Sequence, residues 1–457
     1  MAQNLKHLRN RNVQVHLNQL SRRRILHTAS AIGAAGTLSL LIPGLLHARD
    51  SNPLIKTPPI DTSPIKIGAC GPFSGPAKHT GDAIKQGILM ALEDARTAGE
   101  VPITIDGTLH DIDIVWVDSR STPASAVNAA TDAIIRQNVK LMIGGWHSSV
   151  ALALMDAEAD LNTIHIGHLG ASQYIAAKIN DDPQRYRGWF KGWPSPPKLA
   201  GLYGAPLKYM REQGLWQPAN NRAAILVEDS AFGRGWGEAL MTSLSEAGFD
   251  PQPYDVAALD ETEFRPLLNK YKSEQVSLVA MTSTGDVAVS NFVRQFKELG
   301  VKALLLGHGL RWSSNWYAMT GDASDFVIAM DSAMPIALWQ RWWVRRFKAK
   351  YDEDPSIPAA GFHYDYTRMA IRALNTANTF DFNTLTATLS QLSYKGVWNY
   401  YQFSNGPGVH ALSANEIMTG HFMKGFYLPM VQLFGGQAKI IWPIKYAEQR
   451  FRQPPWI

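Results

Sequence analysis

From Ile65 onward, short apolar runs alternate with longer stretches in which apolar residues recur every three or four positions, the spacing of a helix with one buried face. The first unit is the apolar run IKIGAC, a Gly/Pro/Ser turn, and a helix predicted to begin near Asp82. Ile84, Ile88, Ala91, Leu92 and Ala95 share one face of that helix, Asp82 is placed to cap it, and Gly99 to end it in the left-handed conformation. The unit repeats as IDIVWVDS, a helix entered through Ser121–Pro123 with Ala126, Val127, Ala130 and Ile134 on one face, then VKLMIGG, the helix SSVALALMDAEADLN, and TIHIG. Such alternation predicts a parallel sheet with right-handed crossovers. In sheets of this kind ligands gather outside the carboxyl ends of the strands.

The rhythm breaks near Trp189 into GWPSPPK, too rich in proline for a sheet interior and read as a crossing between lobes. A second series follows: RAAILVE, a helix from about Gly233 to Ala247, VSLVAMTS, a helix over Val287–Leu299, ALLLGH and FVIAMDS. Helical patterns from Ile336 are expected to return over the first lobe, and the short runs VWNYYQF, FYLPMVQLF and KIIWPI to finish on the second. The predicted fold is α/β and two-lobed, each lobe a mainly parallel sheet flanked by helices, joined by three crossovers. Lobe I is assigned to residues 64–190 plus 336–395, and lobe II to 191–335 plus 396–457. About 400 residues exceed what one core usually supports, which agrees with two domains.

Upstream, SRRRIL at Ser21–Leu26 precedes an acid-free apolar run from Ala29 to Leu46 and a small residue, Ala48. This is the pattern of a twin-arginine export signal, residues 1–48, with glycine and proline interrupting the run too often for a membrane span. Residues 49–63 read as a Pro/Ser/Thr linker. The leader holds six basic residues and no acid, and without them the chain's 44 basic residues fall to 38 against 39 acidic. A nearly neutral exported chain offers no general attraction to nucleic acid or anionic membrane. The single cysteine, Cys70, excludes an intrachain disulfide and reads as a buried strand residue.

Catalytic signatures are missing: the sequence contains no GxSxG, GxxxxGK[ST], HExxH or CxxC. His165 and His168 form an HxxH, but on a strand running into a loop that spacing does not bring both rings to one face, so no metal is expected. Gly233, Gly235 and Gly237 give GxGxG, off-register for a dinucleotide loop, and read as a helix entry beside a cleft. No cofactor is expected. Trp339, Trp342 and Trp343, with Arg341, Arg345 and Arg346, read either as core packing with a basic face or as a partner surface.

The segment SGPAKHTGDAIKQG resembles the opening of type I periplasmic solute-binding proteins, the branched-chain amino acid and amide-binding family of ABC importers. The resemblance extends over nearly all of the exported chain and implies an interlobe ligand site. Its Ser-rich loop corresponds to GGWHSSV, placing Trp146, Ser148 and Ser149 at the ligand, and its next loop to HLGAS, adding Gly170, Ala171 and Ser172. The opening loop would contribute Ser74 and Thr80, the latter where many relatives carry an aromatic residue. In VEDSAFGRG, Phe232 stands where the family often has tyrosine.

Departures from the family bear on specificity. Amino-acid binders hold the ligand ammonium with a second-lobe carboxylate, yet the corresponding loop here, GHGLRW, has Gly309 with Arg311 and Trp312 nearby. Asp286 in TSTGD is the remaining acid near the expected cleft. The resemblance therefore implies a monomeric, non-enzymatic periplasmic protein that binds a small polar organic solute (amino acid, amide or urea-like compound, or carboxylate). It would close on that solute and deliver it to an ABC permease. A periplasmic sensor presenting its closed form to a receptor, or a hydrolase using the same cleft, are the alternatives.

Overall fold

A computed structural model of the chain describes residues 63–330, 334–403 and 428–457. The leader 1–48 and the linker up to residue 62 lie outside the described residues, as does 404–427. Five strands form the first sheet, in the order Ile112–Asp118, Ile65–Gly71, Leu141–Ile143, Ile164–His168, Trp189–Lys191, all parallel. The inner strands are largely buried on both faces because helices cover both. Cys70 is fully buried in the Ile65–Gly71 strand, where burial raises its thiol pKa and keeps it an inert hydrophobe.

The second sheet has eight described strands. Its parallel core runs Asp255–Ala257, Arg222–Glu228, Leu278–Thr282, Leu304–His308, Ile328–Met330. The hairpin Met430–Phe434 and Gln437–Trp442 adds two antiparallel strands at one edge. At the other, Asp250–Pro251 pairs with Arg222–Glu228. The returning Phe362–Ala377 helix packs along the Lys78–Thr97 helix, and the turn before it, Ile357–Gly361, comes so close that a Cβ at Gly87 would stand 2.1 Å from the Ala360 carbonyl oxygen. Tyr364 donates to Asp94 at 2.7 Å across this seam.

Two expectations need correction, and the tryptophan helix is divided between core and surface. The first helix starts at Lys78, not near Asp82, and no side chain caps it; Asp82 pairs with Lys78 instead. The early start is possible because Gly81 lies against the Pro72 carbonyl, where a Cβ would come within 2.1 Å. The first series also continues through Trp189–Lys191, an edge strand that buries Trp189 and Phe190 before the Pro-rich segment begins. In the Leu338–Tyr351 helix only Trp343 and Phe347 enter the core, while Trp339 and Trp342 reach the surface and Arg346 lies over Trp342.

Candidate functional site

Loops at the carboxyl ends of both sheets face one another around a small cavity of about 30 Å³. From the first sheet come Trp146, after Leu141–Ile143; Ser148; and Leu169 and Ala171, after Ile164–His168. Trp193 follows the edge strand, and Pro358 enters from the turn before the Phe362–Ala377 helix. The second sheet supplies Phe232, Thr284 and Trp312. Trp146 and Trp312 meet across the cavity edge to face, their centroids 5.4 Å apart. Below this pair, the buried Asp286 carboxylate accepts from the Thr80 hydroxyl at 2.8 Å and from the Thr80 N–H at 3.2 Å, a second link between the walls.

On the first wall the geometry centres on Ser148, which opens the Ser148–Asp160 helix and is 2% exposed. Its hydroxyl oxygen accepts from the N–H groups of Ala171 at 2.9 Å and Ser172 at 3.0 Å. Ser172 in turn caps the next helix by accepting from Tyr174 N–H. With two N–H groups on its oxygen, the Ser148 hydroxyl has its proton left to give. The loop approaches this closely only because Gly144 and Gly145 have φ of +77° and +126°; a Cβ on Gly145 would lie 2.1 Å from His168.

Imidazoles form the layer behind that wall. His363 Nε2 accepts from Gly145 N–H at 3.1 Å while its Nδ1–H donates to the Ala359 carbonyl at 2.7 Å. His168 Nδ1 accepts from Gly170 N–H at 2.8 Å. His165 lies between the Glu158 carboxyl and the Gly144 carbonyl, 2.6 Å away. Burial lowers His147 and His363 to about 4 and His168 well below its ordinary range, so these rings are neutral near pH 7. The HxxH pair thus supports the loops, and no group of three or more metal-ligating side chains occurs among the described residues.

The second wall directs its acids inward. Glu228, at the end of its strand, accepts from the Ser230 hydroxyl and from both the N–H and hydroxyl of Thr284, the latter at 2.6 Å. Asp286 faces Thr80, and burial pushes its pKa up to about 6 against the opposing pull of those two hydrogen bonds. His308 accepts from the Tyr203 hydroxyl, stacks on Trp236, and is lowered by burial to about 3. Trp312 is held by Gly309, whose φ of +96° lets the chain turn beneath the indole.

A family model described as periplasmic binding protein matches residues 64–421. The chain belongs to this family. Among curated relatives, it is 23% identical over 302 residues to Leu/Ile/Val-binding protein homolog 3 of Brucella melitensis, covering 65% of this chain and 74% of that protein. It is 24% identical over 297 residues to the leucine-, isoleucine-, valine-, threonine- and alanine-binding protein of Pseudomonas aeruginosa, covering 64% and 73%. Of solved structures, a leucine-binding protein from Thermotoga maritima aligns with a TM-score of 0.66 at 16% identity, covering 82% of this chain and 97% of that one. A solute-binding protein from R. palustris in complex with benzoate gives 0.66 at 18%, covering 83% and 96%. The fold is the two-lobed α/β architecture of these type I periplasmic binding proteins. Members bind small solutes and work with ABC-transporter permeases, and this chain, like them, is a binding protein and not an enzyme. Among the described residues no helix is long and apolar enough to cross a membrane.

Of the residues singled out from the sequence of this periplasmic binding protein, Trp146, Ser148, Ala171 and Phe232 line the cavity. Thr80, Ser172 and Asp286 stand behind the walls in the bonds just described, and Gly170 bonds to His168. Ser74 turns away, donating to Asp118 at 2.7 Å; Ser149 is half-buried on the helix but off the cavity wall; Arg311 is half-buried against Met334. Leu169, Trp193, Thr284 and Pro358 complete the lining without having been anticipated. Thr284 lies two residues before Asp286, so its loop was marked, whereas Trp193 sits in a segment that reads only as a crossing.

Proposed function

We propose that this periplasmic binding protein is the solute-binding component of an ABC importer, taking a small organic solute in the interlobe cavity and closing on it as a monomer. The observation that carries the reading is a cavity walled by strand-end loops of both sheets, with Ser148 on one side and Trp312 and Thr284 on the other. A ligand that touches both walls binds the closed state better than the open one, and by that difference shifts the population toward closure. The lobes that move would be residues 64–190 with 336–395, and 191–335 with 396–457. SRRRIL and the apolar run after it would direct the folded chain through the twin-arginine route, and the membrane partner would be a permease.

Small-angle scattering of the chain against a broad library of amino acids, amides and carboxylates tests the reading. Closure predicts a smaller radius of gyration with the solute that also raises the melting temperature, recovered unchanged. A solute that is converted, or a library in which no compound compacts the protein, argues against it.

A further inference from the structure

We infer that the solute of this cavity is an aromatic compound carrying a carbonyl or carboxylate oxygen and no ammonium group. The inference rests on the solute-binding reading and narrows it.

A primary ammonium brings three donors, each of which needs an acceptor once water is excluded, whereas a carbonyl or carboxylate oxygen needs donors. Among the described residues no charged side chain lines the cavity. The two acids nearest on the second wall are already committed: Asp286 to the N–H and hydroxyl of Thr80, Glu228 to Ser230 and Thr284. Freeing either would leave buried donors without an acceptor, a loss of the same kind as the gain.

What the cavity does offer is donors on one side. The Ser148 hydroxyl, its oxygen occupied by Ala171 and Ser172, has its proton to give. Trp146, which lines the same cavity, has a buried indole N–H with no hydrogen-bond partner. Both call for an acceptor oxygen on the ligand. Across the cavity Thr284 donates its proton to Glu228, so its oxygen is left to accept, which suits a neutral hydroxyl at the far end of the solute. Between these ends the wall is Trp193, Trp312 and Phe232 with aliphatic Leu169 and Pro358, a surface for a planar apolar body. A quaternary ammonium also binds aromatic walls. It wants π faces on several sides, however, and the edge-to-face pair Trp146–Trp312 turns one indole edge toward its neighbour.

The matched pair that tests this is 3-phenylpropionate against L-phenylalanine, which differ only in the ammonium, with 3-phenylpropanamide, L-leucine and glycine betaine alongside. Calorimetric titration of the full chain is expected to show the propionate or its amide binding about a hundredfold or more tighter than L-phenylalanine, because a buried ammonium would lack acceptors. Ser148→Ala, checked for native circular dichroism, should weaken the aromatic oxygen ligand about tenfold or more. L-phenylalanine or L-leucine binding within tenfold of 3-phenylpropionate would overturn the inference while leaving the solute-binding reading intact, as would preference for glycine betaine. If no member of this panel binds, the inference falls. The broader reading then stands or falls separately, on whether any compound of the wider library compacts the protein.

Discussion

The two walls of the cleft are built from the same kind of strand-end loop and use their polar groups in opposite ways. On the first wall, backbone N–H groups converge on the Ser148 hydroxyl, which lines the cavity and has only its proton left to offer. On the second, Thr284 and Thr80 give their protons to Glu228 and Asp286, so the carboxylates disappear into the protein and aromatic surface remains. The lesson is that an acid beside a cleft is a ligand group only if the fold leaves it without internal donors. Position along the chain alone does not tell which case applies.

The largest effect is expected from Trp312→Ala. It removes the second wall's main surface and the cross-cleft partner of Trp146, and is expected to cost about 3–5 kcal/mol in a denaturant titration, as for other buried tryptophans. Loss of stability under 1 kcal/mol would mean that the indole is not packed as described.

Ser148→Ala tests the first wall. It strands the N–H groups of Ala171 and Ser172 in a buried site, so a loss of about 1–3 kcal/mol is expected, together with weaker solute binding. A variant as stable as the parent would show that water replaces the hydroxyl without penalty.

Titration should separate the buried histidines from Asp286. His147 and His363 have folded pKa values lowered to about 4, so between pH 6.5 and 4 the unfolded chain binds more protons and stability falls as pH falls. Asp286 runs the other way: raised to about 6, it contributes stability that is present below its ordinary pKa and is lost as pH rises through 6. Denaturant midpoints measured from pH 4 to 8 should therefore show the histidine-driven loss on the acid side. In His363→Gln that loss should be reduced.

Thr80→Val sharpens the Asp286 contrast. At pH 8 it removes a charge-assisted bond, with an expected cost of about 1.5–3 kcal/mol. At pH 5 the acid is largely protonated and the cost should shrink toward about 1 kcal/mol. The smallest effect belongs to Arg265→Ala, an exposed partner of Glu298 at 2.8 Å away from both walls; a change within about 1 kcal/mol is expected by melting, and anything larger would show a role beyond a solvated pair.

Much of the architecture was legible because it depends on local periodicity. The strands Ile65–Gly71, Arg222–Glu228 and Leu304–His308 are continuous apolar runs, and the Pro123–Ile135 helix announces itself through Thr122, which caps it, and Pro123. The start of the first helix was misplaced because its early beginning depends on Gly81 touching Pro72, a contact no periodicity records. The same split holds for the site. Ser148, Ala171 and Phe232 were found because they follow strand ends in loops that resemble the family's, whereas Arg311 turns toward Met334 and Ser74 toward Asp118.

Residue type and spacing within short windows are enough to read the alternating α/β order, the two mainly parallel sheets, the family and the loops that line the cavity. Which groups in those loops face the cavity is set by packing between distant segments. Whether Asp286 meets a ligand or Thr80, 206 positions away, depends on how two lobes fold against each other, and the energy of a buried carboxylate is set by the donors that packing brings to it.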